Sequence, residues 1–316
     1  MKNYSKTLRA CYLGLITQAI AANFAPLLFW SFHSDFNISL GQIALIPAVF
    51  YVTQLVVDLI CAKYVDAIGY RKSIVASQLL AGLGLIGIAV LPNIVSPYIG
   101  ILIGVFFYAF GSGLIEVLCS PIVEACPFDH KEKVMSLLHS FYCWGSVGVI
   151  LLSTLYFAIF GIDKWQILAC VWAIIPLYNI YNFATCPIER LVEDGQGMSL
   201  RQLLKKPIFA AAIILMICAG ASEMSMAQWA SAFAESALGL TKSVGDLAGA
   251  CLFATTMGIS RMLYGKFGEK IDLIKFMLIS GVICVVSYLL AGLSAMPIWG
   301  LVGCVMCGFS VGIMWP

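Results

Sequence analysis

Positive charges fall on alternate connections between ten long apolar segments of this chain. Sixteen of the 18 Lys and Arg residues lie on one side of the series, and only Lys164 and Lys242 lie on the other. Segments of about 20 apolar residues are long enough to cross a bilayer as helices, and cytoplasmic loops collect Lys and Arg. The pattern predicts an all-α polytopic membrane protein with a cytoplasmic N-terminus. The predicted segments, numbered 1 to 10, are 10–32, 41–62, 73–92, 97–122, 134–158, 165–186, 208–235, 244–264, 273–293 and 296–316.

Composition excludes several other classes of protein. Hydrophobic residues make up 61% of the chain and charged residues 11%, against about 25% charged in a typical soluble domain. A net charge of +2 does not indicate a nucleic-acid surface, and the connections are too short to form a catalytic domain. The 12 cysteines are scattered and lie mostly in apolar segments, where Cys packs as a small residue. We predict no enzyme activity, no cofactor, no metal site and no nucleic-acid partner.

A long charged connection divides the ten segments into six and four. This layout is typical of transporters that are built from two parallel six-helix halves. We predict an N-terminal six-helix bundle at 1–186, a cytoplasmic linker at 187–207 and a C-terminal bundle at 208–316. Because the C-terminal bundle has only four segments, we expect the chain to be a fragment that lacks two final helices.

A short motif after segment 2 combines a small residue, an acid, a glycine and two basic residues. These are Ala62, Asp66, Gly69, Arg71 and Lys72. The motif resembles the signature of the major facilitator superfamily, and a weaker copy at 264–270 contains Gly265 and Gly268. Glycine permits a tight turn, while an Asp and a basic pair can bridge helix ends. We interpret the motif as a cytoplasmic gate, and a plain positively charged loop is the alternative.

Three acidic residues, Asp58, Glu116 and Glu223, lie near the middle of predicted spans. A charge at the centre of a bilayer costs several kcal/mol, and no Lys or Arg is comparably deep in the predicted segments. We therefore expect none of the three acids to have an ionic partner. Such an acid can exist partly protonated, which is what a proton-coupling site requires. A permanently neutral acid that is hydrogen-bonded between helices is the alternative.

Polar side chains share helical faces with these acids. Residues spaced by three and four lie on one face of a helix. We call a set of polar residues on such a face a stripe, and four segments contain one, although the stripe in segment 7 is defined only by its position after Glu223. The stripes are Tyr51, Gln54 and Asp58 in segment 2; Ser112, Glu116 and Ser120 in segment 4; Ser136, His139, Cys143 and Ser146, with Tyr142 at the edge, in segment 5; and Gln228 and Trp229 beyond Glu223 in segment 7. The stripes predict a water-filled cavity for a polar solute, and helix packing is the alternative for any single His, Tyr or Trp.

Segment 4 carries a closer resemblance. The stretch 111–121 reads Gly-Ser-Gly-Leu-Ile-Glu-Val-Leu-Cys-Ser-Pro, which is similar to the corresponding helix of the fucose permease branch of the superfamily. Phe141 and Gly145 in segment 5 align as well. The resemblance implies that Glu116 faces a central cavity and takes part in sugar:proton symport.

The chain departs from the permease pattern at two places. Where the permease has amides in segment 5, this chain has His139 and Tyr142. The permease also has an acid shortly before a proline in its first helix, whereas Asn23 is the polar residue near Pro26 here. We expect Glu223 to replace that acid in proton coupling. The predicted solute-binding residues are Asn23, Gln54, Glu116, His139, Tyr142, Gln228 and Trp229.

The leading interpretation is a monomeric carrier of a sugar-like solute and protons in a bacterial plasma membrane. A proton-coupled drug exporter of the same fold is the runner-up. Such exporters commonly have a Gly-Pro element in the fifth helix, and the stretch 145–150 contains no proline. A membrane sensor that binds a solute without moving it is a third possibility.

Overall fold

The computed structural model describes residues 4–128, 131–189, 205–267, 272–294, 296–312 and 314. The described residues form helices and connections, with no β-strand among them. They belong to two compact units, Met1–Leu191 and Val192–Pro316, and each unit is described by itself below. The division falls inside the predicted 187–207 linker, while the predicted limits of the two bundles stay a prediction.

The first unit consists of seven described α-helices. They are α1 (Tyr4–Asn23), α2 (Phe29–Phe36), α3 (Leu40–Ile68), α4 (Tyr70–Val90), α5 (Pro97–Glu124), α6 (Lys131–Phe160) and α7 (Trp165–Thr185). A short 3₁₀ turn, Ala25–Leu28, joins α1 to α2. Pro26 lies in this turn and has no N–H to continue the α-helical hydrogen bonds of α1.

Local sequence determines where α3 begins and ends. The Ser39 side chain accepts a hydrogen bond from the Gln42 backbone N–H, and the Ser39 backbone N–H donates to Gln42 Oε1 at 3.0 Å. This reciprocal arrangement is a capping box, which satisfies two N–H groups at the helix start. Gly69 is the single residue between α3 and α4 and has a φ of +94°, a backbone conformation that L side chains rarely adopt. The sequence prediction that Asp66 lies in a loop is therefore wrong, because α3 continues through Ile68.

Glycines allow α4 and α5 to approach each other at backbone distance. A Cβ atom added at Gly104 would lie 2.5 Å from the backbone nitrogen and 2.9 Å from the Cα of Ile88. A Cβ added at Gly111 would lie 2.5 Å from the Ser77 carbonyl oxygen. Backbone atoms cannot move away as the end of a flexible side chain can, so these two positions require glycine.

We expect Gly104→Ala to destabilise the first unit by about 1–3 kcal/mol, the usual cost of overpacking a close-packed interface. The midpoint of thermal unfolding in detergent measures this loss. Gly148→Ala is the matched control, since nothing lies within 4 Å of a Cβ at Gly148 in α6. That variant should be at least as stable as the parent, because alanine favours helix over glycine by up to about 1 kcal/mol. Equal unfolding midpoints for the two variants would contradict the proposed backbone contact.

The second unit contains four longer described helices. They are α8 (Pro207–Ser236), α9 (Leu252–Phe267), α10 (Leu273–Leu293) and α11 (Pro297–Val311). A three-residue helical turn, Lys242–Val244, and a π-helix, Gly245–Cys251, lead directly into α9. A Cβ at Gly249 would lie 2.7 Å from the Ala230 carbonyl oxygen, so glycine lets the π-helix contact α8.

Eight helices in the described part of the chain are long and apolar enough to cross a membrane. They match predicted segments 1 to 7 and segment 9; α1 and α2 count as one span, Tyr4–Phe36. The apolar helix Ile298–Val311 in segment 10 is shorter. Segment 8 is not among the eight; it contains the π-helix Gly245–Cys251, and its α-helical part, Leu252–Phe267, has 16 residues. The chain is thus an all-helical protein of multiple membrane-length helices, and the arrangement of six plus four spans stays a prediction.

Candidate functional site

Glu116 lies at the centre of a hydrogen-bonded group of polar side chains in the first unit. Gln18 Nε2 in α1 and Gln54 Nε2 in α3 both donate to Glu116 Oε2, each at 3.1 Å. Gln54 Nε2 also donates to Ser112 Oγ at 3.2 Å. Glu116 itself is exposed, whereas Gln54 and Ser112 are buried. Two amides from α1 and α3 therefore donate to one accessible carboxyl group on α5, and the Ser112 hydroxyl accepts from one of those amides.

Small residues bring these three helices close enough for the contacts to form. A Cβ at Gly113 in α5 would lie 3.1 Å from Val57 Cγ1 and 3.2 Å from the Cα of Gln54. A Cβ at Gly14 in α1 would lie 3.1 Å from Cys119 Sγ in α5. Helices that lack side-chain bulk at the contact can approach closely within a membrane. The Gly-x-Gly-x-x-Glu stretch of α5 thus supplies both the carboxyl group and the space beside it.

Helix α6 contributes to the same unit through two polar contacts. Asn23 Nδ2 at the end of α1 donates to Ser146 Oγ at 2.9 Å. The exposed His139 has its Nε2 atom 3.4 Å from Ser120 Oγ, one helical turn from Glu116. Two of the predicted solute-binding residues, Asn23 and His139, therefore lie on helices that pack against α5, the helix that contains Glu116.

Aromatic residues in the first unit pack against one another as well. The rings of Tyr12 in α1 and Phe141 in α6 stack at 4.0 Å with an interplanar angle of 8°. Tyr142 is half-buried and packs against the apolar core that includes Leu118, Leu138 and Phe183. Its predicted role in solute binding stays a prediction. So does the place of Ser136 in the polar stripe of segment 5, because its side chain lies outside the described part of the structure.

Asp58 lies one turn after Gln54 on α3 and is half-buried. Its Oδ1 atom is buried and has no hydrogen-bond partner within the described residues. Most buried polar atoms in proteins do have a partner. Among the residues that the structure describes, Oδ1 of Asp58 thus has no partner, and the proposed role of Asp58 in proton coupling stays a prediction.

Glu223 in the second unit differs from this expectation. The guanidinium Nη2 of Arg261 in α9 lies 3.2 Å from Glu223 Oε2 and 3.4 Å from Oε1. Arg261 Nε also donates to the Gly312 carbonyl oxygen at 3.2 Å. The prediction that Glu223 lacks an ionic partner is wrong. The prediction failed because Arg261 was assigned to the cytoplasmic end of segment 8, whereas the long side chain of Arg261 extends to Glu223.

Gln228 and Trp229 also lie on α8. Gln228 is buried and Trp229 is half-buried. Tyr288 in α10 donates from its hydroxyl to the Ser222 carbonyl oxygen of the same helix α8 at 2.7 Å. The proposal that Gln228 and Trp229 contact a solute rests on the sequence pattern alone.

A buried ionic network, which the sequence did not indicate, lies near the end of α8. Lys242 contacts Asp246 in the π-helix and lies 3.2 Å from Glu235 Oε1. The Ser231 hydroxyl donates to Asp246, and its oxygen also lies 3.3 Å from Glu235 Oε1. Asp246 is fully buried. The network was missed because Lys242 and Asp246 lie at the start of a predicted segment, where charges are usually solvated.

The predicted gate motif surrounds the turn at Gly69. Arg71 donates from Nη1 to the carbonyl oxygens of Phe183 and Ala184, at 2.8 and 2.7 Å, and from Nη2 to that of Cys186, at 2.8 Å. The guanidinium thus caps the carboxyl end of α7, where the helix dipole favours a cation. Lys72 is exposed.

The remaining gate residues divide into two groups. Gly265 lies inside α9 and not in a turn, which corrects the prediction of a loop there. The side chain of Asp66 and all of Gly268 lie outside the described residues. The gate itself stays a prediction.

We expect Arg71→Ala to lower the thermal stability of the protein, since three carbonyl groups at the end of α7 lose their charged donor. Arg71→Lys should recover only part of the loss, because an ammonium group cannot present the planar fork that reaches three carbonyls. Lys72→Ala, which removes a neighbouring exposed charge, is the control and should change the unfolding midpoint little. A loss of the same size in Lys72→Ala would show that net charge, and not capping, is responsible.

Two hydrogen bonds join the start of α1 to the residues that follow α7. Thr7 Oγ1 donates to the Pro187 carbonyl oxygen at 2.6 Å, and the Tyr4 hydroxyl donates to Glu189 Oε1 at 2.8 Å. Both contacts join residues about 180 positions apart in the sequence. The chain therefore leaves α7 at a fixed position relative to the start of α1.

Membrane-length helices, with a carboxyl group held by amides of two neighbouring helices, define an α-helical membrane protein. Residues 10–316 match the family model of the Major Facilitator Superfamily, and the chain belongs to this superfamily of membrane transporters. No curated protein matches the sequence.

Solved structures of sugar transporters have a similar fold. One structure of the E. coli fucose:proton symporter FucP is 16% identical with a TM-score of 0.67, covering 99% of this chain and 82% of that chain. The proton:xylose symporter XylE bound to 6-bromo-6-deoxy-D-glucose is 13% identical with a TM-score of 0.75, covering 98% and 80%. A partially occluded inward-open form of E. coli XylE is 14% identical with a TM-score of 0.71, covering 99% and 85%. At these identities the similarity is one of fold.

Proposed function

We propose that this protein is a secondary transporter that takes up a sugar or a similar polyhydroxylated solute together with protons. The observation that carries the proposal is the exposed carboxyl group of Glu116, held by two amides inside a bundle of membrane-length helices. An ionisable group at such a place is costly and is most often functional. Amides and hydroxyls beside it are groups that can hydrogen-bond sugar hydroxyls.

Glu116 is the proposed site of proton coupling, and Asp58 is a second candidate on the neighbouring helix. The Glu223–Arg261 ion pair favours a structural role for Glu223, because an acid with a charged partner has less need to exchange a proton. Asn23, Gln54, His139 and Tyr142 are the proposed solute contacts of the first unit. Gln228 and Trp229 of the second unit are proposed to contact a solute on the sequence pattern alone. The similarity to sugar:proton symporters in fold supports this choice of solute class.

The proposed topology follows the distribution of Lys and Arg. The N-terminus and the 187–207 connection face the cytoplasm, six spans precede that connection, and four follow it. The transporter acts as a monomer in a plasma membrane, most simply the inner membrane of a bacterium. Alternating access exposes the site to each side of the membrane in turn, as in other carriers with two repeated halves.

Uptake into proteoliposomes tests the proposed function. Labelled fucose, xylose and glucose are offered with and without an inward proton gradient, and a protonophore serves as the control. We expect at least one sugar to accumulate above its external concentration only when the gradient is present. Extrusion of hydrophobic cations would instead identify an exporter. Saturable binding of a sugar without any transport would identify a sensor and would refute the carrier.

A further inference from the structure

We propose that Glu116 binds its proton on one particular oxygen, Oε1, and that Gln18 and Gln54 are the positioning residues that impose this choice. The inference rests on the proposed coupling role of Glu116 and adds the atom that exchanges the proton. Gln18 has no role assigned by the sequence patterns, and it enters through its position in α1.

The argument begins with the two amide donors. Both Gln18 Nε2 and Gln54 Nε2 donate to the same atom, Glu116 Oε2, at 3.1 Å. A carboxyl oxygen has two lone pairs in the plane of the group, and each accepts one hydrogen bond. Two donors therefore occupy Oε2 completely. A proton that arrives must bind Oε1, and Oε2 then becomes the carbonyl oxygen of the neutral acid.

The orientation of the Gln54 amide is itself fixed. Its NH₂ group has two hydrogens, of which one points to Glu116 and the other to Ser112 Oγ at 3.2 Å. Gln54 is only 8% exposed, so turning the amide would leave buried donors without acceptors. Such unsatisfied groups cost about 1–3 kcal/mol each. Gln54 thus presents a donor to Oε2 in both protonation states of Glu116.

The other carboxyl oxygen is the one that remains available. Oε1 of Glu116 has no hydrogen-bond partner among the residues that the structure describes, and the side chain is exposed. In the ionised state Oε1 can accept a hydrogen bond from a hydroxyl of the solute. In the protonated state the same atom carries the O–H and becomes a donor. The solute therefore meets a different hydrogen-bonding partner at one position, depending on whether the proton is bound.

Other ionisable groups lie on the helices around Glu116. Asp58 lies on α3, one turn after Gln54, and His139 on α6 contacts Ser120, one turn after Glu116. Helix α1 carries Cys11 and Tyr12 in the half that precedes Gln18. Of these four groups only Asp58 is a carboxyl, so Asp58→Asn separates its signal from that of Glu116.

Infrared difference spectroscopy between acidic and alkaline samples of the full chain tests the proposal without any solute. Protonated Glu116 should give a carboxylic C=O band that is absent in Glu116→Gln and kept in Asp58→Asn. Hydrogen bonds to the carbonyl oxygen weaken the C=O bond and lower its frequency. We therefore expect the band to move to higher frequency in Gln18→Leu and in Gln54→Leu. Gln166→Leu, the same substitution at the start of α7, should leave the band in place.

The outcomes separate this inference from the proposed function. If the Glu116 band has the same frequency in Gln18→Leu as in the parent protein, the inference is overturned. Such a result would mean that Gln18 donates no hydrogen bond to the carbonyl oxygen of the protonated acid. Gln18 is only half-buried, so its variant provides the test even if Gln54→Leu does not fold. A missing Glu116 band in the parent protein would overturn both the atom assignment and the coupling role. The expected shifts together with a failure of all sugars to accumulate would refute the proposed function alone.

Discussion

Replacing Glu116 by glutamine is expected to abolish the accumulation of solute against its gradient while leaving downhill exchange. Glutamine has the size of the protonated acid, and its side-chain oxygen can accept the two hydrogen bonds from Gln18 and Gln54. It cannot ionise, so the variant remains in the protonated-like state throughout the transport cycle. A carrier that no longer exchanges a proton can only equalise the solute on the two sides of the membrane.

Proteoliposome uptake measures this effect directly. With an inward proton gradient, the internal solute concentration in the Glu116→Gln variant should rise only to the external value. Exchange of labelled for unlabelled solute should continue at a rate comparable to that of the parent protein. Glu124→Gln, at the end of the same helix, is the matched control and should accumulate solute normally. Gradient-driven accumulation by Glu116→Gln would remove Glu116 from the coupling mechanism.

Replacing Arg261 by alanine is expected to destabilise the second unit by about 3–5 kcal/mol, the usual loss when one partner of a buried ion pair is removed. The side chains of Arg261 and Glu223 are 19% and 5% exposed, so the remaining carboxylate would be buried without its cation. The loss also breaks the hydrogen bond to the Gly312 carbonyl oxygen. Thermal unfolding of the purified protein in detergent measures the change.

Two further variants identify the cause. The double variant Glu223→Gln with Arg261→Gln removes both charges and should be more stable than Arg261→Ala, because no uncompensated charge stays buried. Lys275→Ala breaks a surface pair with Asp272, whose side chains are 79% and 51% exposed, and should have little effect. A double variant as unstable as Arg261→Ala would mean that packing by the arginine side chain, and not the buried charge, determines stability.

The fold could be predicted from the sequence because its main signals are local. Span length follows from the thickness of the hydrocarbon, so most of the membrane-length helices could be predicted one segment at a time. The topology inferred from the positions of Lys and Arg stays a prediction. The interruption of segment 8 could not be predicted in this way. Gly245 and Gly249 lie among apolar residues, and the close contact between Gly249 and the Ala230 carbonyl oxygen of α8 becomes visible only in the structure.

The sequence predicted those residues of the candidate site that belong to a series of polar residues at helical spacing. Gln54 and Glu116 belong to stripes with helical spacing, and the structure joins them through a hydrogen bond. Gln18 is a single amide in an apolar helix and produces no periodic signal. The partner of Glu223 was missed for a related reason, because Arg261 is 38 residues away and only the packing of two helices brings them together.

The contacts at the two ends of the first unit have a consequence for biosynthesis. The Tyr4 and Thr7 hydroxyls donate to acceptors at Glu189 and Pro187. When the first helix enters the membrane, those acceptors have not yet been synthesised. The ribosome must add about 180 residues after α1 before these two hydrogen bonds can form, so α1 reaches these final contacts only after α7 has been made.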